Sequence, residues 1–75
     1  MKVIFNTYRL QAMRTWLQHN TGKFTPHSRA LLAKMANVNA ASLYRFINAE
    51  SELSYSNAEK LFSAMEKIGY REESA

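Results

Sequence analysis

In "LLAKMANVNAASLYRFI", residues 31–47, two helix-period patterns are separated by about three residues. Few folds accept two short helices joined so tightly. The first helix must stop near Asn37, a residue that tolerates the left-handed backbone such a corner demands. Val38 plugs the corner, and Asn39 can cap the N–H groups of residues 41 and 42. Ala33 is small where the two helices must cross, and Leu32, Val38, Leu43 and Phe46 are apolar where they meet. The second helix has two distinct faces. Leu43, Phe46 and Ile47 share one; Ala40, Ala41, Tyr44, Arg45 and Asn48 lie on the other, without a carboxylate among them. One face serves a core, and the other is shaped for a partner.

The flanking sequence supplies two more helices. "NTYRLQAMRTWLQHNTG" starts at Asn6 or Thr7 and stops near Asn20 and Gly22, with Leu10, Met13, Trp16 and Leu17 as its apolar stripe. "TPHSRALLAKMAN" offers Thr25 as cap with Pro26 in the first helical position, or a later start at Ser28. Its buried side is expected to be Leu31, Leu32, Met35 and Ala36, with Met13, Met35 and Met65 as ordinary core filler. In the last segment Leu53 precedes the cap Ser54 and can staple onto Ala58. Ala58, Leu61, Phe62, Met65 and Ile68 follow at helical intervals, and Gly69 supplies the stop. The helices are expected at about 7–19, 26–37, 40–49 and 55–68, with the final "REESA" frayed. "KVIF" at residues 2–5 reads either as a short edge strand needing a partner or as an apolar lead-in packed on the core.

Seventy-five residues make one small domain with a modest core. A chain of this size buries only about 60–65% of its unfolded surface, which disfavours a deep substrate cavity. There is no cysteine, and the two histidines, His19 and His27, have no carboxylate close by in sequence. Neither a disulfide framework nor a metal site is expected, and no cofactor or small-molecule substrate is implied. The apolar run in "MKVIF" is far too short for a signal core or a membrane span. A soluble, cytoplasmic protein is expected. Charge is more telling. Residues 1–49 hold seven Lys or Arg and no Asp or Glu, whereas residues 50–75 hold three basic and six acidic residues. That asymmetry favours an anionic partner for one side of the domain, nucleic acid ahead of a membrane surface.

"SRALLAKMANVNAASLYRFINAESELS" resembles the lambda-repressor-like (XRE/Cro-type) helix-turn-helix DNA-binding domains. The likeness covers residues 28–68 and rests on Leu32-Ala33, the small turn, Val38, a polar cap, the two-faced helix, Asn48 and the "LS" that opens the next helix. Arg29 stands where the family often has Gln, Asn37 and Ala49 where Gly is usual, and Ala40 and Ala41 replace polar base readers. The resemblance implies an all-α fold of four helices, or five, with a helix-turn-helix and room for a short N-terminal strand. It also implies that the second helix of the motif lies in the major groove of double-stranded DNA. One such helix per chain is too little for tight specific binding, so a homodimer reading half-sites about 34 Å apart is expected.

On that reading Ala40, Ala41, Ser42, Tyr44 and Arg45 face the bases. Arg45 can take O6 and N7 of guanine, and the alanine methyls can meet a thymine methyl. Ser42 and Tyr44 can contact a base or a phosphate. Asn48 and Arg29 resemble backbone-holding positions, with Lys34, Lys23 and His27 as further phosphate contacts. Trp16 reads as a core residue rather than a stacking platform. The expected function is a sequence-specific transcriptional regulator of the small phage-repressor type. The alternative is an antitoxin-like or anti-repressor adaptor that uses the same fold to bind protein. Enzyme chemistry is not expected, since no nucleophile–base pair or phosphate-binding glycine loop is legible.

Overall fold

A computed structural model of the chain describes residues 4–22 and 27–72. Among the described residues there are four helices and no strand: α1 (Thr7–Asn20), α2 (Arg29–Ala36), α3 (Ala40–Ile47) and α4 (Tyr55–Lys67). None is long and apolar enough to cross a membrane. Each helix starts on a side-chain cap that satisfies an otherwise orphaned N–H. Asn6 accepts from the Arg9 N–H at 2.8 Å, Ser28 from Leu31 at 3.3 Å, and Ser54 from Asn57 at 3.3 Å. Asn39 accepts from both Ala41 at 2.9 Å and Ser42 at 3.2 Å. Ser28 is thus the start of α2; Thr25 and Pro26, the other candidates, lie outside the described residues.

Three helices end in the same way. A residue one or two positions past the helix turns left-handed, and its own N–H and the one after it fold back onto the last turn. Asn37 (φ 57°) ends α2, Ala49 (φ 62°) follows α3, and Gly69 (φ 112°) follows α4. The closing bonds are Val38 N–H to Ala33 O at 3.0 Å, Glu50 N–H to Arg45 O at 2.8 Å, and Tyr70 N–H to Met65 O at 2.9 Å. Because of this end, α3 stops at Ile47, short of the expected residue 49.

α2 packs on both α3 and α4, and α1 packs on α3. The centre of the core is Met13, Leu17, Leu32, Leu43, Phe46, Ile47, Leu61 and Met65, each at most 1% exposed. Leu53 is half-buried ahead of Ser54, and Ala58 is buried, the placement a hydrophobic staple requires. Two expected core residues are outside it: Leu31 is 57% exposed and Met35 44% exposed. At about 100° per residue, Leu31 and Ala33 stand some 200° apart on one helix. α2 buries Leu32, Ala33 and Ala36, so its flank carrying Leu31 and Met35 turns to solvent.

At the chain ends one of the two readings of "KVIF" holds, and the fraying expected of "REESA" does not extend to residues 71 and 72, while 73–75 lie outside the described residues. Of "KVIF", residues 2 and 3 lie outside the described residues, and Ile4 and Phe5 form no strand. Phe5 is the apolar lead-in: its ring meets Tyr55 and Phe62 edge-on at 5.5 and 5.6 Å. The series continues through Phe62–Tyr70 and Tyr70–Trp16 at 5.9 and 5.4 Å, so Trp16 closes an aromatic seam from α4 to α1. Arg71 and Glu72 are held rather than frayed. Arg71 donates to the main-chain oxygens of Glu66 and Tyr70, and Glu72 pairs with Arg9 at 2.8 Å. Arg9 also donates to Ile4 O, so one side chain of α1 holds the residues leading into and out of the bundle.

Candidate nucleic-acid interface

α3 buries Leu43, Phe46 and Ile47 completely, which fixes its rotation about its own axis. Ala41, Tyr44, Arg45 and Asn48 consequently stand exposed on the outer side, Tyr44 at 39%. Ala40 and Ser42 are half-buried, Ala40 against the core. Of the expected base-facing residues, Ala41, Tyr44 and Arg45 are therefore the accessible ones.

The far end of α3 is held by side chains that the sequence did not single out. Arg14 is 9% exposed, and its Nε donates to Phe46 O at 2.6 Å. Its Nη2 meets the Glu52 carboxylate at 2.8 Å, and its guanidinium lies 4.5 Å from the centre of the Phe46 ring. One turn further along α1, Gln18 Nε2 donates to Ile47 O at 2.7 Å. Asn48 and Glu50 N–H groups cover the Tyr44 and Arg45 carbonyls. All four terminal carbonyls of α3 are thus satisfied, and α1 grips the last turn. The one local signal was Arg14 lying at helical spacing between Leu10 and Leu17, inside the apolar stripe.

This placement revises the meaning of the charge asymmetry. Arg9 and Arg14 belong to the basic half, yet each pairs with a carboxylate of the acidic half, Glu72 and Glu52. Part of the segregation is therefore internal pairing between the two halves. Lys23 and Lys2 lie outside the described residues. Lys34 and Arg45 are exposed, and Arg29 is half-buried.

Arg29, Tyr44 and Asn48 line one open cleft of about 480 Å³, together with Gly22, Ser28 and Ala30. The start of α2 and the outer side of α3 therefore share a single concave surface. Arg29 Nε donates to the Thr21 hydroxyl oxygen at 3.1 Å. His27 is half-buried and does not line the cleft; its main-chain oxygen accepts the N–H of cleft-lining Gly22 at 3.0 Å. Lys34 lies in the last turn of α2 and does not line this cleft. No cluster of His, Asp or Glu among the described residues could hold a metal ion. No protein-family model, curated protein or solved structure matches the chain.

Proposed function

We propose that the chain is a sequence-specific, double-stranded DNA-binding regulator of the lambda-repressor-like helix-turn-helix type. α2 and α3 would form the motif, and α3 would lie in the major groove. A homodimer occupying an operator would block polymerase access. The observation that carries this reading is the outer side of α3. It is exposed, free of carboxylates among Ala41, Tyr44, Arg45 and Asn48, and continuous with Arg29 through one cleft. A small residue at 41 lets a helix approach base edges closely, while Arg45 supplies a bidentate donor fork for guanine. The grip of Arg14 and Gln18 on the end of α3 supports it further, because a reading helix must keep its register against the groove.

A second reading, a protein-binding adaptor on the same fold, is favoured by one observation. Leu31 and Met35 form an exposed apolar pair one turn apart on α2. Selection of bound duplexes from a random DNA pool, with an RNA pool in parallel, separates the two. Enrichment of a defined duplex motif is the expected result. An unenriched DNA pool would remove the regulator reading and leave the adaptor.

A further inference from the structure

Arg29 begins α2, but its guanidinium is oriented by the end of α1. Its Nε donates to Thr21 Oγ1 at 3.1 Å. Thr21 is 3% exposed, and its hydroxyl proton is directed back to Leu17 O, which leaves the oxygen's lone pairs for Arg29. Gly22 faces the same group with room for one methyl between them. A Cβ at position 22 would stand 3.6 Å from the Arg29 Nε, Cζ and Nη2 atoms. Gly22 adopts φ +117°, and its N–H is bonded to His27 O at 3.0 Å.

We propose that Thr21 is a positioning residue for Arg29, setting its guanidinium so that it meets a nucleic-acid phosphate already ordered. The proposal rests on the DNA-binding reading above. An unrestrained arginine surrenders rotamer freedom when it binds, whereas one held by Thr21 has lost that freedom on folding. The hydrogen bond also uses Nε alone. The planar fork keeps its Nη edge for a phosphate, which a single ammonium cannot imitate.

A double-mutant cycle between positions 21 and 29 tests this, using a mixed-sequence DNA duplex at low salt because a phosphate contact is independent of sequence. Thr21→Val keeps the branched shape and removes the acceptor. Leu17 O still receives the Thr21 main-chain N–H at 3.1 Å, so no buried carbonyl is orphaned. Thr21→Val should weaken binding about threefold to tenfold, the scale of one hydrogen bond, and Thr21→Ser should restore it. In an Arg29→Ala background the same Thr21→Val change should alter affinity by less than about twofold. Arg29→Lys, which leaves the buried Thr21 unchanged, should also bind more weakly although charge is kept. Equal losses from Thr21→Val in both backgrounds would reduce Thr21 to a structural role and overturn the proposal. So would a Thr21→Val protein that binds like the parent while Arg29→Ala does not, a result that leaves DNA binding intact. A parent protein that binds no duplex at all overturns both readings together.

Discussion

The Nε of Arg14 donates to the main-chain oxygen of Phe46 across 2.6 Å, joining the middle of α1 to the last turn of α3. The same side chain lies over the Phe46 ring and pairs with Glu52. Its removal should therefore cost packing and hydrogen bonding together. Phe46 O would keep the Ala49 N–H, and Glu52, 63% exposed, would return to water, so neither partner becomes a stranded buried group. Arg14→Ala should lower the unfolding free energy by about 2 kcal/mol. Glu52→Gln should lower it by less than about 1 kcal/mol, as for exposed ion pairs. Urea titration of both variants measures the difference. Equal losses would place the energy in the ion pair rather than in the grip on α3.

Ala49 occupies the left-handed position after α3, with φ 62°, where a Cβ is sterically costly. Asn37 and Gly69 hold the corresponding positions after α2 and α4 with more suitable residues. Ala49→Gly should consequently stabilise the protein by about 1 kcal/mol. The melting temperature should rise by roughly 4–8 °C for a domain of this size. A melting point that falls would mean that the Ala49 methyl makes a contact worth more than the strain.

Local features were the ones legible in the sequence. Asn39 and Ser54 cap their helices because a cap needs only residues two or three positions on. Val38 and Leu43 are buried because the period of each helix is short-range information. What failed depended on partners distant in the chain. Leu31 and Met35 fit a helical stripe, but which stripe turns inward was decided by Ala33 at the crossing. Arg14 and Phe46 stand 32 positions apart, and Arg9 and Glu72 stand 63 apart. No periodicity encodes such pairings, so cations already engaged in the fold were counted toward an external partner.

Tyr70 is 3% exposed in the aromatic seam. Burial, reinforced by Glu72 and Tyr8 and opposed by Arg9, pushes its phenol above the ordinary 10.0. The folded phenol therefore keeps its proton to higher pH than the unfolded one. Its contribution is fully present below about pH 10 and is lost as pH rises through the folded value. Denaturation midpoints followed from about pH 8 upward should fall more steeply in the parent than in Tyr70→Phe. Parallel profiles would remove Tyr70 from the alkaline transition.

If the cleft and its surroundings carry the phosphate contacts, affinity for duplex DNA should fall steeply with salt. The log–log slope should lose about 0.9 for each contact removed. Arg29→Ala and Lys34→Ala should each reduce it by that amount and weaken all sequences alike. Arg9→Ala should leave the slope unchanged, because Arg9 is paired with Glu72. A full unit lost in Arg9→Ala would mean that internal pairing does not withhold it from the DNA.

The outer side of α3 can be tested without disturbing the core. Arg45 is exposed, opposite the buried Leu43, Phe46 and Ile47. Arg45→Ala should cost roughly 1–3 kcal/mol on the selected duplex and relax preference at one guanine. Ala41→Glu should be worse, since it adds both bulk and negative charge where the helix must approach the groove. Ala41 is also exposed, and its main-chain N–H donates to the Asn39 side-chain oxygen, so the side chain at 41 can change without loss of the cap. A glutamate in the first turn even suits the helix dipole. Neither variant should therefore melt far from the parent, and a binding defect cannot be charged to unfolding. Titrations on the selected and scrambled duplexes, paired with thermal melts, measure both quantities. Should both variants melt like the parent and bind with unchanged affinity and preference, α3 is not the reading helix.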